Sequence, residues 1–212
     1  MEAEAKKKLA KGDIEGAAES FDSAAELYDR EGDGKSEDRM RTQVGLALFK
    51  LQPEKLDELA KKASKAAEAI EKEADQKIRA GKNEGPGGST EILPTAALRR
   101  LEAAERFEAE AMRYVAGNKP ADAASAFSDA AKEYSAAAED LEKAARNEPP
   151  KDADEKHEDY RTALLMRQKA IEEHSDASKY YRTAGDTGAA KKEYNAVGDE
   201  AEKQEKIDQA EE

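Results

Sequence analysis

In this 212-residue sequence the run Asp29, Glu31, Asp33 and Glu37, with Gly34 among them, is the first cluster of oxygen-bearing side chains spaced as a cation site would need. These residues fall at positions 1, 3, 5, 6 and 9 of a calcium-loop pattern, in which oxygens converge on the ion and a glycine permits the sharp turn. Position 12, which should supply a bidentate carboxylate, is Met40, so the run reads as an acidic loop between helices. His157 and His174 are the only imidazoles. A carboxylate-bridged di-iron site needs Glu-x-x-His steps on two helices, and neither histidine has a Glu three positions before it. Asp154 does stand three before His157, where it reads as favourable charge at a helix start. His174, inside Glu172-Glu173-His174, reads as exposed. Gly85-Pro86-Gly87-Gly88-Ser89-Thr90 lacks the lysine and the preceding buried strand of a phosphate loop and reads as linker. No spacing isolates a carboxylate pair in an apolar pocket, and serine nucleophile motifs are absent. Catalytic, cofactor-binding and metal residues are therefore assigned to none, no cofactor is assigned, binding residues stay unassigned, and the expectation is a protein that is not an enzyme.

Composition narrows the partners. The formal net charge is -13 with 40% charged residues, a field that repels phosphate backbones and anionic membrane surfaces and favours basic proteins and peptides. The expectation is no nucleic acid, no membrane and a protein partner with a helical or basic segment. Lys6-Lys7-Lys8 and the lysine-rich back of the stretch 54–81 are the places that could touch an acidic surface, but interleaved Glu residues largely cancel that field. Cysteine is absent, which removes disulfides, thiolate zinc sites and cysteine nucleophiles together. No apolar run approaches the 18 or so residues of a membrane span, and Met1 to Lys8 has no apolar segment of signal length, so a cytoplasmic protein is expected.

Helical periodicity runs through the whole sequence. Only 38% of residues are apolar, and much of that is alanine, which stabilises less per residue than leucine but lets helix backbones approach closely. Helices are expected over 2–11, 13–31, 36–51, 54–81, 94–116, 118–146 and 154–184, with a last pair from 186 and, after a Gly198-Asp199 turn, from 200 to 210. The stretch 54–81 carries Leu56, Leu59, Ala63, Ala67, Ile70, Ala74 and Ile78 on one side. No segment alternates apolar and polar residues as a strand would. The fold class is all-α, built of antiparallel helical hairpins. The expected organisation is N-terminal hairpins over 1–80, a Gly/Pro-rich linker or loop over 81–93 and C-terminal hairpins over 94–212.

One phrase recurs. Shifting the sequence by 106 residues lays Ala17, Ala18, Phe21, Ala24, Ala25 and Tyr28 on Ala123, Ala124, Phe127, Ala130, Ala131 and Tyr134. A third copy opens at Gly185-Asp186 and continues with Ala189, Ala190, Tyr194 and Val197. Each follows a Gly-Asp or Gly-Asn turn, at Gly12-Asp13, Gly117-Asn118 and Gly185-Asp186, the middle copy with one extra turn residue. An internal duplication of hairpins explains this economically.

The Ala-x-x-x-Phe step after a turn resembles the second helix of a tetratricopeptide repeat: Ala17 and Phe21, Ala123 and Phe127, Ala190 and Tyr194, with Ser178 and Tyr181 before the third turn. The closely spaced Gly-Asp turns between Tyr180 and Ile207 look like the short hairpins of soluble SNARE-adaptor (SNAP-like) proteins. These resemblances imply an α-α superhelix or an irregular helical bundle that grips helices of another protein. A non-enzymatic adaptor or scaffold is the function expected, with a self-assembling helical bundle or coiled coil as the alternative and the oligomeric state left open.

Overall fold

In the computed structural model residues 1–30, 33–82, 88–147 and 153–211 are described, and among them every regular element is helical. The helices are α1 (Glu2–Ala10), α2 (Ile14–Arg30), α3 (Gly34–Leu48), α4 (Pro53–Arg79), α5 (Ser89–Ala116), α6 (Pro120–Asn147), α7 (Ala153–Thr183) and α8 (Thr187–Glu211). The chain is an all-α protein.

Packing separates two units, Met1–Leu56 and Asp57–Glu212, with the boundary inside α4 and not at the glycine-rich stretch. Of the linker expected over 81–93, residues 83–87 lie outside the described residues, whereas Ser89 to Leu93 already belong to α5. Pro94 therefore sits within the helix it was expected to start. Proline at that depth removes a backbone hydrogen bond, and burial offsets it, since Leu93 is fully buried against Ala74 and Ala144.

The three phrase openings share one backbone device. Gly12 and Gly185 adopt φ of +80° and +85°, and Asn118 adopts +55° in the same role. In each, the next residue donates back five positions: Asp13 N–H to Lys8 O at 3.1 Å, Lys119 N–H to Tyr114 O and Asp186 N–H to Tyr181 O at 2.9 Å. This is the hydrogen bond that closes a helix through a left-handed residue. Because the left-handed residue is Asn118 and not Gly117, the middle copy has no extra turn residue, and all three copies keep one register. The next helix is then capped, by Asp13 Oδ1 accepting from Gly16 N–H at 3.0 Å and by Asp186 Oδ1 accepting from Ala189 N–H at 2.9 Å.

In the first unit α1 packs on α2 and α2 on α3. Ala17, Phe21, Ala24 and Ala25 of the phrase are buried there together with Met40, Ala47 and Leu48 of α3. The calcium pattern is undone at this point. Gly34 to Met40 are helical, Asp33 caps that helix by accepting from Ser36 N–H at 3.2 Å, and Met40 is core. Glu31 lies outside the described residues.

In the second unit α5 packs on α6, α6 on α7 and α7 on α8. Side chains of α4 reach α5 and α6 through Ala60, Phe107 and Ala130, and Ile207 of α8 joins Leu141 and Ala145 of α6. A helix touched from several sides needs small residues around most of its circumference. The sequence supplies them in strict heptads, all buried: Ala60, Ala67 and Ala74 on α4; Ala97, Ala104 and Ala111 on α5; Ala123, Ala130, Ala137 and Ala144 on α6; Ala163, Ala170 and Ala177 on α7. A seven-residue repeat of buried positions keeps a seam facing its neighbour along the full length of a helix. With alanine at the seams, little apolar volume is enclosed, and Arg167 and Asp140 rank beside Phe21, Met40, Leu56 and Leu93 among the largest fully buried side chains.

The last seam departs from this pattern. Opposite Tyr160, Arg167 and His174 of α7 stand Ile207, Glu200 and Glu193 of α8, again seven apart and all buried. The turn expected at Gly198-Asp199 does not form. These seam residues lie on both sides of it, and continuous helix holds Glu193, Glu200 and Ile207 in register.

Candidate partner surface and buried ionic layers

Two guanidinium groups organise the interior of the second unit. Arg167, 1% exposed on α7, donates from Nη1 to Glu200 at 2.6 Å and from Nε and Nη2 to Glu142 Oε1 at 3.1 and 2.6 Å. Lys203 closes the layer, 2.9 Å from Glu200 and 3.2 Å from Glu139. Arg100 on α5 donates to Asp140 at 2.9 Å, to Glu71 at 2.7 Å and to Glu133 at 3.4 Å, which ties α4 and α6 together. Glu133 also accepts from Ser64 Oγ at 2.7 Å, and Lys143 pairs with Asp75.

His174 corrects the expectation of an exposed imidazole. It is 7% exposed, and its Nδ1 shares a 2.6 Å hydrogen bond with Glu193 Oε2, whose other oxygen accepts from Ser128 Oγ at 2.9 Å. Heptad register with Tyr160 and Arg167 was the signal that could have placed it. The immediate neighbours Glu172 and Glu173 suggested a polar surface, but α7 is lined inward by polar residues. His157 is exposed, and the two histidines are not brought together. Among the described residues no group of three or more His, Asp or Glu side chains is arranged to hold a metal.

Electrostatics separate these carboxylates. Burial works to raise Glu193, and the hydrogen bonds from His174 and Ser128 overcome it, leaving the acid below the usual carboxylate range. Glu200 behaves alike, with burial outweighed by Lys203 and Arg167. Glu173 goes the other way. It is buried on α7 near Glu108 and Asp176, its Oε2 has no hydrogen-bond partner among the described residues, and burial followed by those like charges pushes it up to about 8. Glu108 instead accepts from the Tyr134 hydroxyl at 3.2 Å. Glu110 rises to about 7, by burial and then the charge of Asp57.

The outward side of α4 is organised differently. Its apolar seam, including Leu59, Ala63, Ala67 and Ala74, is spent inside the unit. On its exposed side an open trough of about 610 Å³ is lined by Ala69, Lys72, Glu73, Gln76, Lys77, Ala80 and Lys82. Sequence interleaving of Lys and Glu overstates the cancellation of charge here. Glu71 is engaged by Arg100 and Asp75 by Lys143, toward the neighbouring helices, while Lys62, Lys65, Lys72, Arg79 and Lys82 are exposed without a carboxylate partner among the described residues.

The arrangement defines an all-α protein in which Arg100, Arg167 and His174 are paired with carboxylates inside the second unit. No family model, no curated protein and no solved structure matches the chain. Among the described residues no helix is long and apolar enough to cross a membrane.

Proposed function

We propose that this protein is a non-enzymatic adaptor or scaffold that receives a helix or extended peptide of a partner protein on its helix surfaces. The observation that carries the reading is the trough on α4. It is open and lined by Ala69 and Ala80 together with long polar and charged side chains, a form suited to the side of a polypeptide and not to an enclosed small ligand. The engagement of Arg100 by Asp140, of Arg167 by Glu200 and of His174 by Glu193 supports it, since these pairs link helices to one another. A helical-repeat architecture of the tetratricopeptide or SNAP-like kind, suggested by the Ala-x-x-x-Phe steps, would serve the same role.

Titration of the full chain with a panel of helix-forming peptides of both charge signs, paired with light scattering, tests the proposal. One-to-one binding by a monomer is expected. Absence of binding together with a stable oligomer would instead support a self-assembling bundle.

A further inference from the structure

We infer that the partner segment seated on α4 is an acidic helix, with carboxylates repeating about every seven residues; this rests on the adaptor reading and names the chemistry of its partner. Lys65, Lys72 and Arg79 are seven apart, and with Lys61 they lie within one narrow stripe of the helix circumference. At 1.5 Å per residue the stripe from Lys61 to Arg79 is roughly 27 Å long and one helix wide. Lys62 and Lys82 flank it, and all six residues are exposed.

Charge on this stripe is opposite to that of the molecule. Lys61 pairs with Asp57 at 2.7 Å and Lys77 with Glu73 at 3.3 Å. That leaves Lys62, Lys65, Lys72, Arg79 and Lys82 facing Glu68 in a chain whose net charge is -13. At physiological ionic strength the screening length is about 8 Å, so a segment lying on α4 responds to these cations while the acidic remainder is largely screened. A broad anionic surface would extend past the stripe over the rest of a molecule whose net charge is -13. A narrow acidic helix can contact the stripe alone. Exposed Ala66, Ala69 and Ala80 beside the cations permit close backbone approach, while the lack of large apolar anchors there makes the association polar, weak and salt-sensitive rather than permanent.

The test uses the full chain and a labelled alanine-based helical peptide of about three heptads with Glu at one position per heptad and a second at the flank, read by fluorescence anisotropy. Binding is expected at about 0.1 M salt and should weaken at least ~10-fold by about 0.4 M. The triple variant Lys65→Glu, Lys72→Glu, Arg79→Glu should bind at least ~10-fold more weakly, with unchanged helical circular dichroism and Tm because these side chains are exposed and unpaired. The control Lys191→Glu, Lys192→Glu, at exposed positions of α8, should bind like the parent. Equal weakening by both variants would reduce the effect to net charge and overturn the inference. If a lysine version of the peptide binds and the glutamate version does not, the inference fails and the adaptor reading stands; if neither binds, both fail. Vesicles containing phosphatidylserine that bind the parent but not the triple variant, without peptide binding, would overturn it in favour of a membrane surface.

Discussion

The phrase residues do different work in different copies, and single side chains show it. Phe127 is buried and stacks on Tyr180 with ring centroids 5.4 Å apart. Tyr194, its counterpart in the third copy, is 63% exposed. Phe127→Ala should therefore cost ~3–5 kcal/mol in urea unfolding. Tyr194→Ala should change stability by no more than ~0.5 kcal/mol. Glu173 gives a pH prediction whose sign follows from its raised folded pKa. The folded protein holds a proton that the unfolded chain releases near 4.5, so the stabilisation is complete below that value and is lost as pH rises through about 8. Glu110, raised to about 7, acts in the same direction. Lowering pH from 9 to about 5 should thus increase the unfolding free energy, and Glu173→Gln should flatten that dependence, stabilising the protein at pH 9 by on the order of a few kcal/mol. Glu193 and Glu200 have depressed values, so their contribution is present above the ordinary carboxylate range and is lost as pH falls through their folded values. A thermal-melt series from pH 3 to 9 checks both limbs.

At the scale of elements, α8 is the informative case. It meets α7 through Glu193 and Glu200, where the other seams of the second unit present alanine. Buried ionic layers add little net stability, but removing one partner strands the other's charge. Arg167→Met should cost ~3–5 kcal/mol and raise the pKa of Glu200, read by urea unfolding and by titration of that carboxyl in NMR. Much of the helix plan was legible in the sequence because glycine, asparagine and proline punctuate it at Gly12, Asn118, Pro120 and Gly185. The continuation of α8 through Gly198 was not. Glycine and aspartate there match the turns upstream, but Glu193, Glu200 and Ile207 belong to a seam that only the packed partner reveals. The alanine heptads were present in the sequence, yet alanine is so frequent that their period is visible chiefly once burial marks which alanines matter. The opposed charges of Glu71 and Asp75 were hidden for a related reason, because spacing gives a side chain's direction on its own helix and says nothing of Arg100 and Lys143 on others.

Across the whole molecule, the units Met1–Leu56 and Asp57–Glu212 each bury their own copy of the phrase. A fragment spanning 57–212 should therefore fold, giving helical circular dichroism and a cooperative melt of its own, since its ionic layers and alanine seams are internal to it. Net charge describes this molecule poorly as a guide to partners: an acidic total coexists with a cationic stripe along one helix. The proposal seats a partner polypeptide on the exposed side of α4. Amide chemical-shift mapping of the full 23.1 kDa chain on addition of the acidic helical peptide measures this directly. Saturable shifts confined to residues 61–82, with those of α8 and of the first unit unchanged, are expected; shifts centred on another helix, or none at peptide concentrations that saturate binding, would contradict that placement.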